Sequence, residues 1–209
     1  MLQTHGGFKI GTNQFALVKK TEEQSARLMK YGDHKLAKEL LESVLKKHEF
    51  EEPTLFMLTG QVNLKLGYLV LAEQMFYKAA EFAGFEAKAH AQLGVIAQAQ
   101  NNIQQALEHF KHSLSIENDW QVSYQAGYLL LNVACDHKQA VEYLTNAIDQ
   151  ASKNALRIDP ACLADMYVCR MRCYKELGLT EHARMDYQKV LNADPNFIRR
   201  EMAAKEAHK

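Results

Sequence analysis

Five alanines, Ala37, Ala72, Ala106, Ala140 and Ala183, follow one another at intervals of 35, 34, 34 and 43 residues, and each precedes a bulky residue by four places: Leu41, Phe76, Phe110, Leu144 and Tyr187. A period near 34 residues is that of two antiparallel helices, a unit that cannot bury both apolar faces alone and must stack on a neighbour. Seven places after each alanine stand Val44, Ala79, Ser113, Ala147 and Val190, all small or β-branched. Positions 0, +4 and +7 share one helical face. The second helix of every unit therefore presents a narrow stripe whose alanine lets another backbone come close. Five places before each alanine stand Gly32, Gly67, Asn101, Cys135 and Gly178. Glycine and asparagine tolerate the left-handed backbone that ends many helices, so the first helix of each unit is expected to stop and reverse there.

The three prolines divide the chain in the same way. Pro53, Pro160 and Pro195 follow Glu52, Asp159 and Asp194, an acidic residue and then proline, which suits the cap and first position of a helix. The pattern resembles the tetratricopeptide repeat family. Its third unit carries Leu93, Gly94, Ala106, Phe110 and a helix-ending Asn118, and its fifth carries Tyr167, Tyr174, Gly178, Ala183, Tyr187 and Pro195 at the family's aromatic, aromatic, glycine, alanine, aromatic and proline positions. The first unit departs from the pattern, with Thr21 and Gln24 where large apolar residues are expected. In the fourth, Gly127 lies one place too far from Ala140, as a one-residue insertion would leave it. The resemblance implies an all-α, right-handed α-solenoid of about five helix pairs, over residues 18–51, 52–85, 86–119, 120–159 and 160–195. Residues 1–14 are then a flexible arm or linker, and residues 196–209 an amphipathic helix capping the exposed end of the stack, as an array of this kind requires.

The interval of 43 leaves about nine residues in excess between the fourth and fifth units. From Gln139 to Ile158 there is neither glycine nor proline, and Ala140, Leu144, Ala147, Ile148, Ala151, Ala155 and Leu156 keep helical spacing. The excess reads either as two to three further turns of helix, about 13 Å at 1.5 Å per residue, or as a longer loop over residues 149–159.

Charge and composition narrow the classes of function. Lysine and arginine number 25 against 25 aspartates and glutamates, so the net charge is zero, which disfavours a nucleic-acid partner. No apolar run approaches the roughly 18 residues of a membrane span, and the start MLQTHGGFKIGTN has no hydrophobic signal core. A cytoplasmic location is expected, without membrane insertion.

The sequence carries no recognisable catalytic constellation. Cys162, Cys169 and Cys173 fall on one expected helix, but seven residues of helix span about 10 Å, too far for three thiolates to share a metal. With Cys135 they read as reduced thiols, used mainly as small core residues. His109 and His112 stand three apart, as chelating pairs do, yet no carboxylate or cysteine lies at a spacing that would complete the set, and they read as surface residues. His90 takes an early aromatic position of its unit and reads as a packing residue. No phosphate-cradling loop, nucleophile elbow or zinc-protease motif is present. The expectation is a chain without enzymatic activity, cofactor or metal.

In the resembled family the first helices line a concave surface. Carrying those positions over gives Met29, Lys30, Met57, Gln61, Leu64, Lys65, Lys88, Val95, Gln98, Tyr124, Tyr128, Asn132, Val168, Arg172 and Lys175 as candidate peptide-binding residues, with Lys19, Glu22, Ala26, Ala91 and Leu131 among them. Met29, Met57, Leu64, Val95, Tyr124 and Tyr128 make the middle apolar and soft, suited to an apolar peptide segment. The cations Lys19, Lys30, Lys65, Lys88, Arg172 and Lys175 face Glu22 alone, so an acidic flank on the partner is favoured. Glu22 and Ala26 stand where chaperone-binding members carry lysine and asparagine for a carboxylate clamp, which disfavours that ligand. The expected function is a protein–protein interaction module, an adaptor, scaffold or assembly factor. The alternatives are a self-associating structural subunit, a homo-oligomer, or a chaperone-like factor of secretion or pilus assembly.

Overall fold

The computed structural model of the chain describes residues 3–5, 8–10, 12–48, 51–153 and 158–197. Two short strands, β1 (Gln3–His5) and β2 (Phe8–Ile10), pair antiparallel with Thr4 opposite Lys9. The arm expected over residues 1–14 thus holds, in its described part, this hairpin and the first residues of a helix that starts at Thr12. The ten α-helices that follow among the described residues are α1 (Thr12–Lys30), α2 (His34–His48), α3 (Pro53–Lys65), α4 (Leu69–Ala80), α5 (Glu86–Ala99), α6 (Ile103–Ile116), α7 (Trp120–Leu129), α8 (His137–Lys153), α9 (Pro160–Glu176) and α10 (Thr180–Ala193). They form five consecutive pairs. Three pairs belong to a first unit, Met1–Glu117, and two to a second, Asn118–Lys209. The capping helix expected over residues 196–209 lies outside the described residues beyond Phe197.

All five turn positions adopt left-handed backbone: Gly32, Gly67 and Gly178 at φ 83°, 79° and 73°, Asn101 at 61° and Cys135 at 54°. That conformation aims the next amide back at the helix it leaves. Asp33, Tyr68, Asn102 and Leu179 each donate their N–H to the carbonyl five residues earlier, at 2.8–2.9 Å. Acidic residues before the prolines cap as their chemistry dictates. The side chains of Glu52 and Asp159 accept from the amides of Thr54 and Ala161, and Asp194 accepts from the amide of Asn196 at 3.0 Å.

In the fourth pair the closing bond is one residue longer. The amide of Asp136 reaches back six places to the carbonyl of Leu130, at 3.1 Å, because Leu130–Ala134 is a π-helical turn. A π turn holds one residue more than an α turn. The excess residue between Gly127 and Ala140 is therefore taken up inside the helix, not in a loop.

The alanine column is buried throughout, and so is the +7 column. The +4 residues pack into notches made by small residues on the first helix. A methyl group built on Gly60 would stand 2.6 Å from the ring of Phe76, one on Gly94 2.5 Å from the ring of Phe110, and one on Gly127 2.7 Å from Cγ of Leu144. The equivalent place in the first pair is Ser25, buried beside the smaller Leu41. In the fifth pair it is Met171, itself buried, and no notch remains for Tyr187. That residue, expected to pack inward like its counterparts, is 38% exposed.

Position +3 takes over in this pair. Asp186, only 3% exposed, accepts two bonds from Arg170, from Nε at 2.8 Å and from Nη2 at 2.7 Å. Arg170 Nη1 also donates to Thr145 Oγ1 at 3.0 Å, and the guanidinium lies 5.6 Å and 5.7 Å from the ring centres of Tyr167 and Tyr174. Burial alone would lower the Arg170 pKa, but the bonds and charge of Asp186 outweigh it and the group is raised. One ion pair thus ties α8, α9 and α10 together.

The first helices of the middle pairs are buried on several sides. On α3, Leu55 and Val62 join a cluster with Val18, Ala37, Leu41 and Val44, while Phe56 and Met57 join another with Ala72, Phe76, Ala89 and Leu93. The second helices bury one stripe each, as α4 does with Ala72, Phe76 and Ala79. Helix α8 ends, in its described part, at Lys153, and Ile158 and Asp159 are not helical. The extension expected to run to Ile158 therefore falls short of it, and residues 154–157 lie outside the described residues. No helix among the described residues is long and apolar enough to cross a membrane.

Two stability predictions follow from the notches and the ion pair. Gly94→Ser is expected to destabilise the chain by about 1–3 kcal/mol through overpacking against a buried ring. Pairing it with Phe110→Leu, which copies Ser25 and Leu41, is expected to lose less, as read by urea unfolding followed by circular dichroism. Asp186→Ala leaves a buried guanidinium without its partner and is expected to cost about 3–5 kcal/mol, visible as a lower thermal midpoint.

Candidate functional site

In the first unit, Lys30 at the end of α1, Lys65 at the end of α3 and Lys88 on α5 are exposed, as is Lys19. Gln61, Val95 and Gln98 are half-buried. Met29 and Leu64 are half-buried as well, but each packs on a core cluster. Met57 does not reach the surface. At 8% exposure it belongs to the core beside Phe56 and Phe76, because α3 is packed on both sides and its one face for a partner carries Gln61 and Lys65 instead. Ala91 is buried too. The apolar strip of the first unit is accordingly thinner than its sequence implies.

The second unit gathers its candidates more closely. Tyr124 and Tyr128, one turn apart on α7, have ring centres 6.2 Å apart and tilted by 56°. Tyr128 is 44% exposed, whereas Tyr124 is half-buried with its hydroxyl 3.9 Å from Sγ of Cys169. Beyond them Asn132, in the π turn, donates to the carbonyl of Tyr128 at 2.9 Å and accepts from Arg172 Nη2 at 3.1 Å. Arg172 and Lys175 on α9 are exposed, Val168 half-buried. Leu131 turns into the core. The result is a partly open aromatic pair bordered by an asparagine–arginine fork and a lysine.

Titration in this region favours neutral groups. Burial, then the neighbouring Cys169, pushes the Tyr124 phenol up. Burial also raises the Cys169 thiol, against the opposing bond from Tyr124 and the charge of Arg172, and raises Cys173 to about 11, with Cys169 adding to the effect. A thiol held protonated is a poor nucleophile. Chemically, this face can bury apolar surface and bond carboxylates or amides.

A second cluster joins residues that sequence spacing left apart. Glu86 and His90 lie one turn apart on α5, facing His109 and His112 on α6. Nδ1 of His90 is 3.0 Å from Nδ1 of His109, Nε2 of His112 is 3.0 Å from Oε1 of Glu86, and the rings of His90 and His112 are 4.1 Å apart centre to centre. Burial, then the charges of His112 and His109, lowers the His90 pKa against the pull of Glu86. Burial likewise lowers that of His109, against Glu73 and Glu108. The carboxylate that meets His112 comes from the facing helix, as Glu86. In an antiparallel pair where Gly94 meets Phe110, His90 and Glu86 face the turn of α6 around Phe110, which holds His109 and His112, and that register was the available signal.

Comparison with known proteins agrees with this architecture. The tetratricopeptide repeat matches residues 87–119 and 172–197, which include most of α5 and all of α6 and α10. Among solved structures the chain is similar to BtubC from P. vanneervenii, at 18% identity over 85% of this chain and 80% of that one, with a TM-score of 0.70. It is similar to MamA from residue 41 to its end from Desulfovibrio magneticus RS-1, at 16% identity over 86% and 96%, with a TM-score of 0.67. It is also similar to YrrB, a TPR protein with an unusual peptide-binding site, at 20% identity over 88% and 90%, with a TM-score of 0.63. At such identities the likeness is one of fold. No curated protein sequence matches the chain. The chain thus carries the tetratricopeptide repeat in two places, and the helix-pair fold of its described residues is that of solved tetratricopeptide repeat structures.

Proposed function

We propose that the chain is a non-catalytic protein-binding module, serving as an adaptor, scaffold or assembly factor, and that the α7–α9 face of its second unit takes a peptide segment of the partner. The observation that carries this reading is the aromatic pair. Tyr128 stands open above a half-buried Tyr124, and tyrosine offers a flat apolar surface together with a hydroxyl at little entropic cost. Asn132 and Arg172, already bonded to each other at 3.1 Å, are oriented to meet a backbone amide or a carboxylate. Arg172 and Lys175, exposed on α9, favour a partner whose apolar segment has an acidic flank. YrrB, similar in fold, is itself described as having a peptide-binding site.

The test uses a peptide selected against the intact chain from a library of apolar segments with acidic flanks. Changing Tyr124 and Tyr128 together to alanine is expected to weaken its binding at least about tenfold, the equivalent of 1.4 kcal/mol, with helicity unchanged. Equal affinity in the double variant sinks the assignment of this face. Arg172→Glu is expected to slow association and flatten its dependence on salt, as read by stopped-flow at two ionic strengths.

A further inference from the structure

We propose that Glu86, His90 and His112 form a binding site for a divalent transition cation of the zinc, nickel and copper class. One ring nitrogen from each histidine and one oxygen of Glu86 all lie within 4.8 Å of one another. In a tetrahedral zinc site, with bonds of about 2.0–2.1 Å, neighbouring ligand atoms are about 3.3 Å apart. Small side-chain rotations close that difference. Glu86 and His90 are half-buried and His112 exposed. Two imidazoles and a carboxylate suit this class of cation, whereas magnesium and calcium require oxygen donors.

His109 supports the site from behind. Its Nδ1 contacts Nδ1 of His90 at 3.0 Å, the kind of outer contact that fixes the orientation and tautomer of a ligating imidazole. Water completes the coordination on the exposed side.

Packing alone does not call for these residues. The places of His90 and His112, sixteen before and six after the unit's alanine, are filled in the preceding pair by Phe56 and Lys78, whose ammonium lies 5.6 Å from the centre of the Phe56 ring. In the first pair they are Thr21 and Ser43. None of the other four pairs carries a histidine at either place, counting back through the extra residue in the fourth. A helix pair of this fold is therefore complete with an aromatic residue and a cation. Three imidazoles around one carboxylate are an addition to the repeat.

The equivalence also supplies a variant that keeps the fold. His90→Phe combined with His112→Lys copies Phe56 and Lys78. Zinc titrated calorimetrically into the untagged full chain is expected to bind at one equivalent and to raise the thermal midpoint, and cobalt(II) is expected to give the visible bands of a low-coordinate nitrogen and oxygen site. In the double variant the affinity should fall more than about 100-fold, and in His109→Leu about 10–100-fold, the usual cost of losing an outer partner. Magnesium should not compete. The proposal is overturned by absence of zinc binding, by binding that survives in the double variant, or by half an equivalent bound with dimerisation in sedimentation.

Discussion

The closeness of the two helices within each pair governs most of what this chain does. Where Gly60, Gly94 and Gly127 leave out a side chain, Phe76, Phe110 and Leu144 come in, at separations a single methyl group would violate. Interiors packed to crystal density tolerate little adjustment of that kind, so each notch fixes the register of its pair. The buried alanine column follows from that register, and so does the place at which each turn must reverse. Met171 marks the limit of the rule, since a filled notch sends Tyr187 to the surface and leaves the fifth pair to be held by Arg170 and Asp186 instead.

Features set by local conformational chemistry were legible in the sequence. The left-handed turn positions and the acidic caps before proline are choices a backbone makes within a few residues, and all but Cys135 appear where the residue type favours them. The one-residue excess after Gly127 was legible as an excess, but not as a π turn, because nothing local distinguishes a wider helical turn from a longer loop. Met57 was misplaced for a different reason. A helix covered on two sides has few outward positions, and counting along one helix does not reveal its neighbours. The cluster around His90 escaped for the same cause, its members being close only across the pair, 26 residues apart at the extreme from Glu86 to His112.

The two kinds of helix divide the labour. A second helix such as α4 fully buries a single stripe, flanked by the half-buried Leu69, Met75 and Ala80. A first helix such as α3 gives most of its length to packing, so the few side chains it leaves outward are polar or cationic. On α7 the balance is different, with two tyrosines partly open where α5 offers Ala91, which is buried, and Val95, which is half-covered. The thiols of Cys169 and Cys173 are buried, that of Cys169 against the Tyr124 hydroxyl.

An added residue in a helix ordinarily rotates everything before it by about 100°, and a helix packed on both sides could not survive such a turn. At Leu130–Ala134 the rotation is confined to one wide turn, and its effect is to double a position. Counted forward from the notch glycine, Leu131 takes the place that Gln98 holds in the preceding pair. Counted back from the left-handed residue, Asn132 takes it. Leu131 goes inward and Asn132 outward to Arg172, so a slot that elsewhere must compromise between core and surface is here shared between two specialists.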